Sequence, residues 1–187
     1  MTASFTGAFR AMAYNNAWAN HRLLTACSGL DEAAFHAERV SFFPSLWATL
    51  NHILVVDWFY VDALEGGALG YAAFEDETPY RTVADLHAAQ RAVDDRLIAV
   101  CDALTPETLN EEVRVIRGER TQVERRDRLL MHLFEHQIHH RGQAHAMLSG
   151  TSVKPPQLDE FFSAGEAPLR AAEFADLGWT EEKVWGS

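Results

Sequence analysis

The stretch Ser45–Leu64, SLWATLNHILVVDWFYVDAL, indicates the fold class more clearly than any other part of the chain. Its apolar side chains cover nearly every face of a helix, and Gly66 and Gly67 end the pattern. A helix that is apolar nearly all round is buried among other elements. Pro44 suits the first turn of this helix, where its missing N–H costs nothing. The stretch is therefore predicted to be a central helix of an all-α fold.

Helical spacing extends over three further segments. The first runs from about Phe5 to Cys27, and the second from Thr82 to about Cys101. The third is predicted to start where Thr121 and Glu124 have the spacing of a capping box, and to end at Leu148. Four helices of about 20 residues each favour an up-and-down four-helix bundle, in which metal sites are commonly built from facing helices.

The segments between and after these helices are predicted to be short or irregular. Residues 31–43 are expected to form a loop with one helical turn. A weak alternation within residues 112–122 predicts a small hairpin or extended segment between the third and fourth helices. Beyond the last helix, Leu158–Phe162 is a short amphipathic piece, and the following sequence is irregular. We expect one domain over residues 1–187, with a core at about 5–165 and a C-terminal tail at 166–187.

The composition argues against several classes of protein. Hydrophobic residues make up 48% of the 187, which suffices for a real core. Lysine and arginine number 16 against 27 acidic residues, so the net charge of −11 argues against nucleic-acid binding. We find no signal peptide and no stretch apolar enough to span a membrane. Cys27 and Cys101 form no disulfide framework, so buried free thiols and a cytoplasmic location are expected.

Four of the nine histidines lie within a stretch of nine residues on the last predicted helix, namely His132, His136, His139 and His140. Residues four apart project from one face of a helix, so two imidazoles at that spacing can reach one metal ion. With about 100° of rotation per residue, His136 falls at the edge of the apolar face and His140 falls within it. His132 and His139 fall outside the apolar face. Gln137 and Arg141 also project into this face, so the separation is imperfect.

A third metal ligand is expected from another buried helix. His52 is the candidate, because its neighbours on the same face of the Ser45–Leu64 helix are apolar. An imidazole buried there without a partner is costly. Either a metal ion or a hydrogen bond would satisfy it, and the inward-facing pair on the last helix favours the metal ion.

A competing pattern overlaps the same helix. The residues from His132 to His136 match the HxxEH motif of inverted zinc proteases. That chemistry requires Glu135 beside the metal ion as a base, but the helical wheel places Glu135 where it can only flank the site. A match this short arises easily by chance in a histidine-rich helix, so we do not favour the protease interpretation.

Several segments resemble the DinB/YfiT-like family of metalloenzymes. The stretch HLFEHQIHHRGQAHAML, residues 132–148, is similar to the family signature, with Glu135 standing where asparagine is common. Supporting similarity lies in YNNAWANHRLL at 14–24, LNHILVVDWFYVDAL at 50–64 and GTSVKPPQLD at 150–159. The resemblance covers about the first 165 residues, and the HHRGQ region is its most specific part.

The resemblance implies an up-and-down four-helix bundle of left-handed twist, often a homodimer, with a divalent metal ion bound by three histidines. Transferred to this sequence, the ligands are His52, His136 and His140. Imidazole ligands are compatible with Zn, Ni, Mn or Fe. The remaining positions at the ion would hold water or substrate, as in catalytic sites. Candidate supporting groups beside the ligands are Gln143 and His132, with Glu135 and Asp57 less favoured.

Two functions remain open from the sequence. The first is a metal-dependent enzyme with a small-molecule substrate, either a transferase or isomerase that uses a low-molecular-weight thiol cosubstrate, or a hydrolase. The second is a non-catalytic, stress-linked bundle that binds a metal ion or ligand; the family's name comes from damage-inducible expression, which says nothing about chemistry. An open position on the metal ion distinguishes the enzyme from a closed structural site.

Overall fold

Four long helices form the framework of the structure, a computed structural model that describes residues 5–185. They are α1 (Phe5–Cys27), α3 (Leu46–Leu64), α4 (Val83–Asp102) and α5 (Arg126–Leu148). The shorter elements are α2 (Glu32–His36), β1 (Glu112–Arg117), β2 (Arg120–Arg125), α6 (Ala167–Leu177) and α7 (Glu181–Trp185). Helices α1 and α3 each pack against both α4 and α5. The chain is mostly helical with one small sheet, which confirms the prediction of a helical fold.

Helix α3 is buried along most of its length, as its sequence predicts. It begins one residue later than expected, because the hydroxyl of Ser45 caps it by accepting a hydrogen bond from the backbone N–H of Ala48 at 3.0 Å. Pro44 precedes this cap, so its predicted place in the first turn is wrong. Within residues 5–185 no helix, α3 included, is long and apolar enough to cross a membrane.

The predicted hairpin is present and is longer than expected. Strands β1 and β2 pair antiparallel, with Ile116 opposite Thr121 and Val113 opposite Glu124. The capping box predicted at Thr121 and Glu124 is therefore wrong, because both residues lie in β2 and α5 begins only after it. The valines of β1 are buried and the strand packs against α3, which makes pairing preferable to another helical turn.

The C-terminal segment is helical, and the expectation of irregular sequence there is wrong. Helices α6 and α7 both pack against α1. Arg170 is buried on α6 and pairs with Glu181 of α7 at 2.8 Å. Phe174, Trp179 and Val184 join the main hydrophobic core. Both helices are too short for apolar spacing to identify reliably, which explains the error.

The two cysteines are buried and free, as predicted. Burial raises the pKa of both Cys27 and Cys101 to about 12. A thiol with so high a pKa carries almost no thiolate near neutral pH. Both side chains therefore act as core-filling groups.

A buried polar cluster joins all four long helices at their centre. We call it the central polar cluster, and its members are Asn16, Asn20, Asp57, Gln90, Asp94, Gln137 and Arg141. The Arg141 guanidinium donates to the side-chain oxygens of Asn16, Asn20 and Gln137. Asp94 accepts from the amides of Asn16 and Asn20 at 3.1 and 3.0 Å. These contacts fix the rotation of α5 about its axis, and with it the direction of the neighbouring histidines.

The central polar cluster holds two carboxyl groups against one guanidinium. Burial raises the pKa of Asp57 and of Asp94, and the mutual repulsion of the two carboxylates raises that of Asp94 further. Hydrogen bonds from Gln90 and the charge of Arg141 act in the opposite direction. Between about pH 4 and 7 these carboxyl groups therefore retain a proton in the folded protein that they have already released in the unfolded chain, where carboxyl pKa values are about 4.

The raised carboxyl pKa values predict a contribution to stability that is lost as the pH rises from about 4 through the folded-state values of about 7 for Asp57 and about 8 for Asp94. Within this range the free energy of unfolding falls by up to about 1.4 kcal/mol per pH unit for each proton that the folded state retains. Histidines that are neutral in the folded protein act in the opposite direction below about pH 7.5, and the buried thiols of Cys27 and Cys101 add to the fall above about pH 7.5, so the effect is measured as a difference between variants. In urea unfolding between about pH 5 and 8, Asp94→Asn should make the slope of the free energy of unfolding against pH more positive than in the wild type, whereas the exposed Asp95→Asn should leave it unchanged. Equal slopes in Asp94→Asn and the wild type would contradict the assignment.

Candidate metal centre

Three imidazoles from two helices converge at one point. His52 comes from α3, and His136 and His140 come from α5. One nitrogen from each ring lies within 4.8 Å of the other two. The Nε2 atoms of His52 and His136 are 3.1 Å apart, and the ring of His140 lies 4.7 and 4.5 Å from theirs. Within residues 5–185 this is the one group of three or more potential ligands with such spacing.

The positions of the three rings follow from local structure. His136 and His140 are one helical turn apart, so both project from the same face of α5. That face packs against α3, whose regular cap at Ser45 fixes where His52 falls along the interface. His140 is buried, and His52 and His136 are half-buried. The two helices thus bring the three imidazoles together.

The three imidazoles are neutral near physiological pH. Burial, followed by the charges of the neighbouring imidazoles, lowers the pKa of His136 to about 3. Burial and the charge of His140 lower the pKa of His52 to about 4. Burial also lowers the pKa of His140. A neutral imidazole offers a lone pair to a metal ion, so the electrostatics favour the ligating form of all three residues.

Gln143 orients His140 through a hydrogen bond. The Nδ1 atom of His140 lies 2.9 Å from Oε1 of Gln143, which can only accept, so Nδ1 carries the proton and Nε2 the lone pair. The amide of Gln143 in turn donates to Nε2 of the exposed His139 at 3.0 Å. Metal-binding histidines usually have such a partner on the second ring nitrogen. The sequence predicted Gln143 as a supporting group but did not predict the role of His139.

Two aromatic residues of the loop before α3 lie beside the imidazoles, which the sequence analysis missed. The ring of Phe43 is 4.2 Å from that of His52 and 5.5 Å from that of His140. Phe42 lies 6.3 Å from His140 and is 77% exposed. Loop residues reach the site only through the tertiary fold, so no spacing in the sequence indicates them. An adjacent cavity of about 390 Å³ is lined by Arg39, Val40, Ser41, Gln143, Ala146, Met147 and Gly150.

Comparison with known proteins identifies the family. A model of the DinB family matches residues 1–171. The chain belongs to the DinB family. The match includes all four long helices and the three clustered histidines, and it extends into α6.

Individual DinB relatives share the fold at low sequence identity. Protein DinB of Bacillus subtilis is 25% identical over 150 residues, which cover 75% of this chain and 84% of that protein. The crystal structure of a DinB-like protein from Bacillus cereus has a TM-score of 0.57 at 15% identity, over 75% of this chain and 90% of that one. A DinB-like protein from Bacillus subtilis gives 0.56 at 15% identity, over 79% and 96%. The two structures support the fold alone.

The other candidate residues of this DinB-family chain lie outside the imidazole group. His132 is exposed and its ring lies 6.5 Å from that of His136, with Tyr60 as a closer neighbour at 5.3 Å. Glu135 is also exposed. Neither residue belongs to the group of potential ligands, so the described structure lends no support to the HxxEH interpretation. Asp57 belongs to the central polar cluster and faces Gln90 and Gln137.

Proposed function

We propose that this DinB-family protein binds one divalent transition-metal ion through His52, His136 and His140 and is a metal-dependent enzyme. The observation that carries the proposal is the convergence of three neutral imidazoles within 4.8 Å. The donor set fits the ion, because neutral imidazole nitrogens are the usual ligands of Zn, Ni, Mn and Fe sites of this type.

The number of ligands supports catalysis over a purely structural role. Structural zinc sites are closed by four protein ligands, whereas catalytic sites use three and keep a position open. The group here has three members within residues 5–185. When bound, the ion would supply Lewis acidity, which lowers the pKa of a coordinated water or thiol to near neutral.

The surrounding residues support a small-molecule reaction with a thiol. Gln143 holds the proton of His140 at Nδ1 and leaves Nε2 as the ligand atom. Phe43 packs against the imidazoles of His52 and His140 and gives the site one aromatic wall. The cavity beside Gln143 includes the buried Met147 in its lining, so it offers a partly apolar surface to a small molecule. We therefore favour a thiol-dependent transferase or isomerase over a hydrolase, because these apolar contacts suit the carbon chain of a thiol cosubstrate.

Cobalt substitution tests the proposal. In protein loaded with one Co²⁺ per chain, a low-molecular-weight thiol should produce a sulfur-to-cobalt charge-transfer band, because the thiolate occupies the open position. The His140→Ala variant serves as the control and should not show the band. A spectrum that ignores thiols but changes with pH would favour a metal-bound water and the hydrolase. A spectrum that responds to neither would contradict the enzyme and favour the non-catalytic metal-binding bundle.

Three finer features are proposed on the family resemblance. They are the up-and-down, left-handed arrangement of the four long helices, the homodimer, and the cytoplasmic location. The first is consistent with the packing of α1 and α3 against both α4 and α5. The homodimer is open to a direct test by sedimentation equilibrium.

A further inference from the structure

A second pair of histidines meets between the two long helices that do not contribute to the candidate metal centre. Nδ1 of His21 on α1 lies 3.0 Å from Nε2 of His87 on α4. Their ring centroids are 5.0 Å apart, with the planes inclined by 49°. This nitrogen–nitrogen distance nearly equals the 3.1 Å between His52 and His136. The same contact between facing helices thus occurs twice in the described structure.

The distance suits two ligands of one metal ion. Imidazole nitrogens bind transition metals at about 2.0–2.1 Å, so a separation of this size corresponds to a ligand–metal–ligand angle of roughly 95°. Angles near that value are usual in square-planar and octahedral coordination, and Ni²⁺ and Cu²⁺ favour such geometries. A single N–H···N hydrogen bond between neutral rings has the same length, so the surroundings of the pair decide between the two.

Carboxylates of α6 border the pair. Glu173 and Asp176 lie close enough to act electrostatically on His21, and all three line a surface depression of about 510 Å³. Oε1 of Glu173 accepts a hydrogen bond from Arg22 at 2.6 Å, but Oε2 is buried and has no hydrogen-bond partner within residues 5–185. A buried carboxylate oxygen without a partner is costly. A cation beside His21 would provide one.

The charge around the pair is mixed but favours a cation. Arg91 is the positive group that acts on both histidines. Against it stand Glu173 and Asp176 near His21, and Asp95, which lines the narrow space shared by His21 and His87. The side chain of Asp176 is exposed and has no hydrogen bond or ion pair with another side chain in the described part of the chain, so no such contact has to break for it to bind a cation.

We propose that His21 and His87 form a second divalent transition-metal site, completed by water and a carboxylate of Glu173 or Asp176. The site is separate from the candidate metal centre and does not depend on its function. It joins α1 and α4 to the C-terminal helix α6. Two ligands are already in place and the third must move, because no carboxylate of residues 5–185 forms a group with both imidazole nitrogens in which all ligand atoms lie within 4.8 Å. The site is therefore weaker than the three-histidine site.

Isothermal titration calorimetry, in which the full-length, metal-free protein is titrated with Ni²⁺, tests this proposal. The wild type should show two classes of site with one ion each. His87→Gln and His21→Gln should each lose the weaker class and keep the stronger, and Asp176→Asn or Glu173→Gln should weaken it by about tenfold or more. His145→Gln is the matched control, since His145 is also half-buried and bonds only a backbone carbonyl, of Pro156 at 2.8 Å.

The outcomes separate this site from the candidate metal centre. His136→Ala should lose the stronger class and keep the weaker one, so failure of one site does not imply failure of the other. Circular dichroism of each variant verifies that it is folded, and the two single histidine variants provide independent tests. Retention of every class of bound ion in both His21→Gln and His87→Gln, or a wild type that binds no ion at all, would overturn the proposal.

Discussion

Replacing Arg141 with methionine should lower the free energy of unfolding by about 3–5 kcal/mol, since it breaks a buried charge network from one side. Arg141 is buried and donates to three side chains of the central polar cluster. Its charge is also the one that offsets the carboxylates of Asp57 and Asp94. Methionine fills a similar volume but leaves both carboxyl groups uncompensated. Urea unfolding at pH 7, followed by circular dichroism, measures the effect.

Two further variants make this result specific. Arg128→Met changes an exposed arginine of the same helix, whose pairing with Glu124 is a surface contact, and should cost under about 1 kcal/mol. Combining Arg141→Met with Asp94→Asn should recover part of the loss, because one of the two buried carboxyl groups is then an amide that needs no counter-charge. A cost for Arg141→Met no greater than that for Arg128→Met would mean that the central polar cluster does not position α5.

Replacing His136 with alanine should abolish metal-dependent stabilisation by the candidate metal centre. His136 lies beside both of the other ligands, with ring centroids 5.1 Å from His52 and 4.5 Å from His140. A ligand that binds only the folded state at 100 times its dissociation constant adds about 2.7 kcal/mol to the free energy of unfolding. Thermal unfolding with and without Zn²⁺ should show this gain in the wild type and lose most of it in the variant.

His139→Ala controls for the number of histidines on α5. His139 is exposed and reaches the site only through Gln143, so most of the stabilisation by Zn²⁺ should survive its removal. Equal stabilisation of the wild type and His136→Ala would show that the ion binds elsewhere. The pair formed by His21 and His87 would then be the first alternative to test.

Much of the helical framework was predictable because it depends on local spacing. The bounds of α1 and α4 follow from apolar periodicity and from the cap at Thr82, whose side chain accepts from the backbone N–H of Asp85. The start of α5 was not predictable in this way. A capping pattern at Thr121 competes with strand pairing across from Ile116, and only the tertiary contacts of the hairpin decide between them.

The residues of the candidate site were likewise predictable only where local spacing in the sequence indicates them. His136 and His140 share a helix, so their spacing alone indicated a common face, and the apolar surroundings of His52 indicated that it points inward. The role of Arg141 could not be predicted, because two of its partners, Asn16 and Asn20 of α1, lie more than 100 residues away in the chain. The aromatic cover of Phe43 likewise depends on how the loop before α3 folds back over the imidazoles.

The most direct measurement is the metal content of each chain by inductively coupled plasma mass spectrometry. The protein is reconstituted with Zn²⁺, Ni²⁺, Mn²⁺ or Fe²⁺ and passed through gel filtration in metal-free buffer, which removes weakly held ions. We expect close to one ion per chain in the wild type and close to none in His52→Ala, His136→Ala and His140→Ala. The absence of bound metal in the wild type with all four ions, or its retention in all three variants, would contradict the three-histidine metal centre.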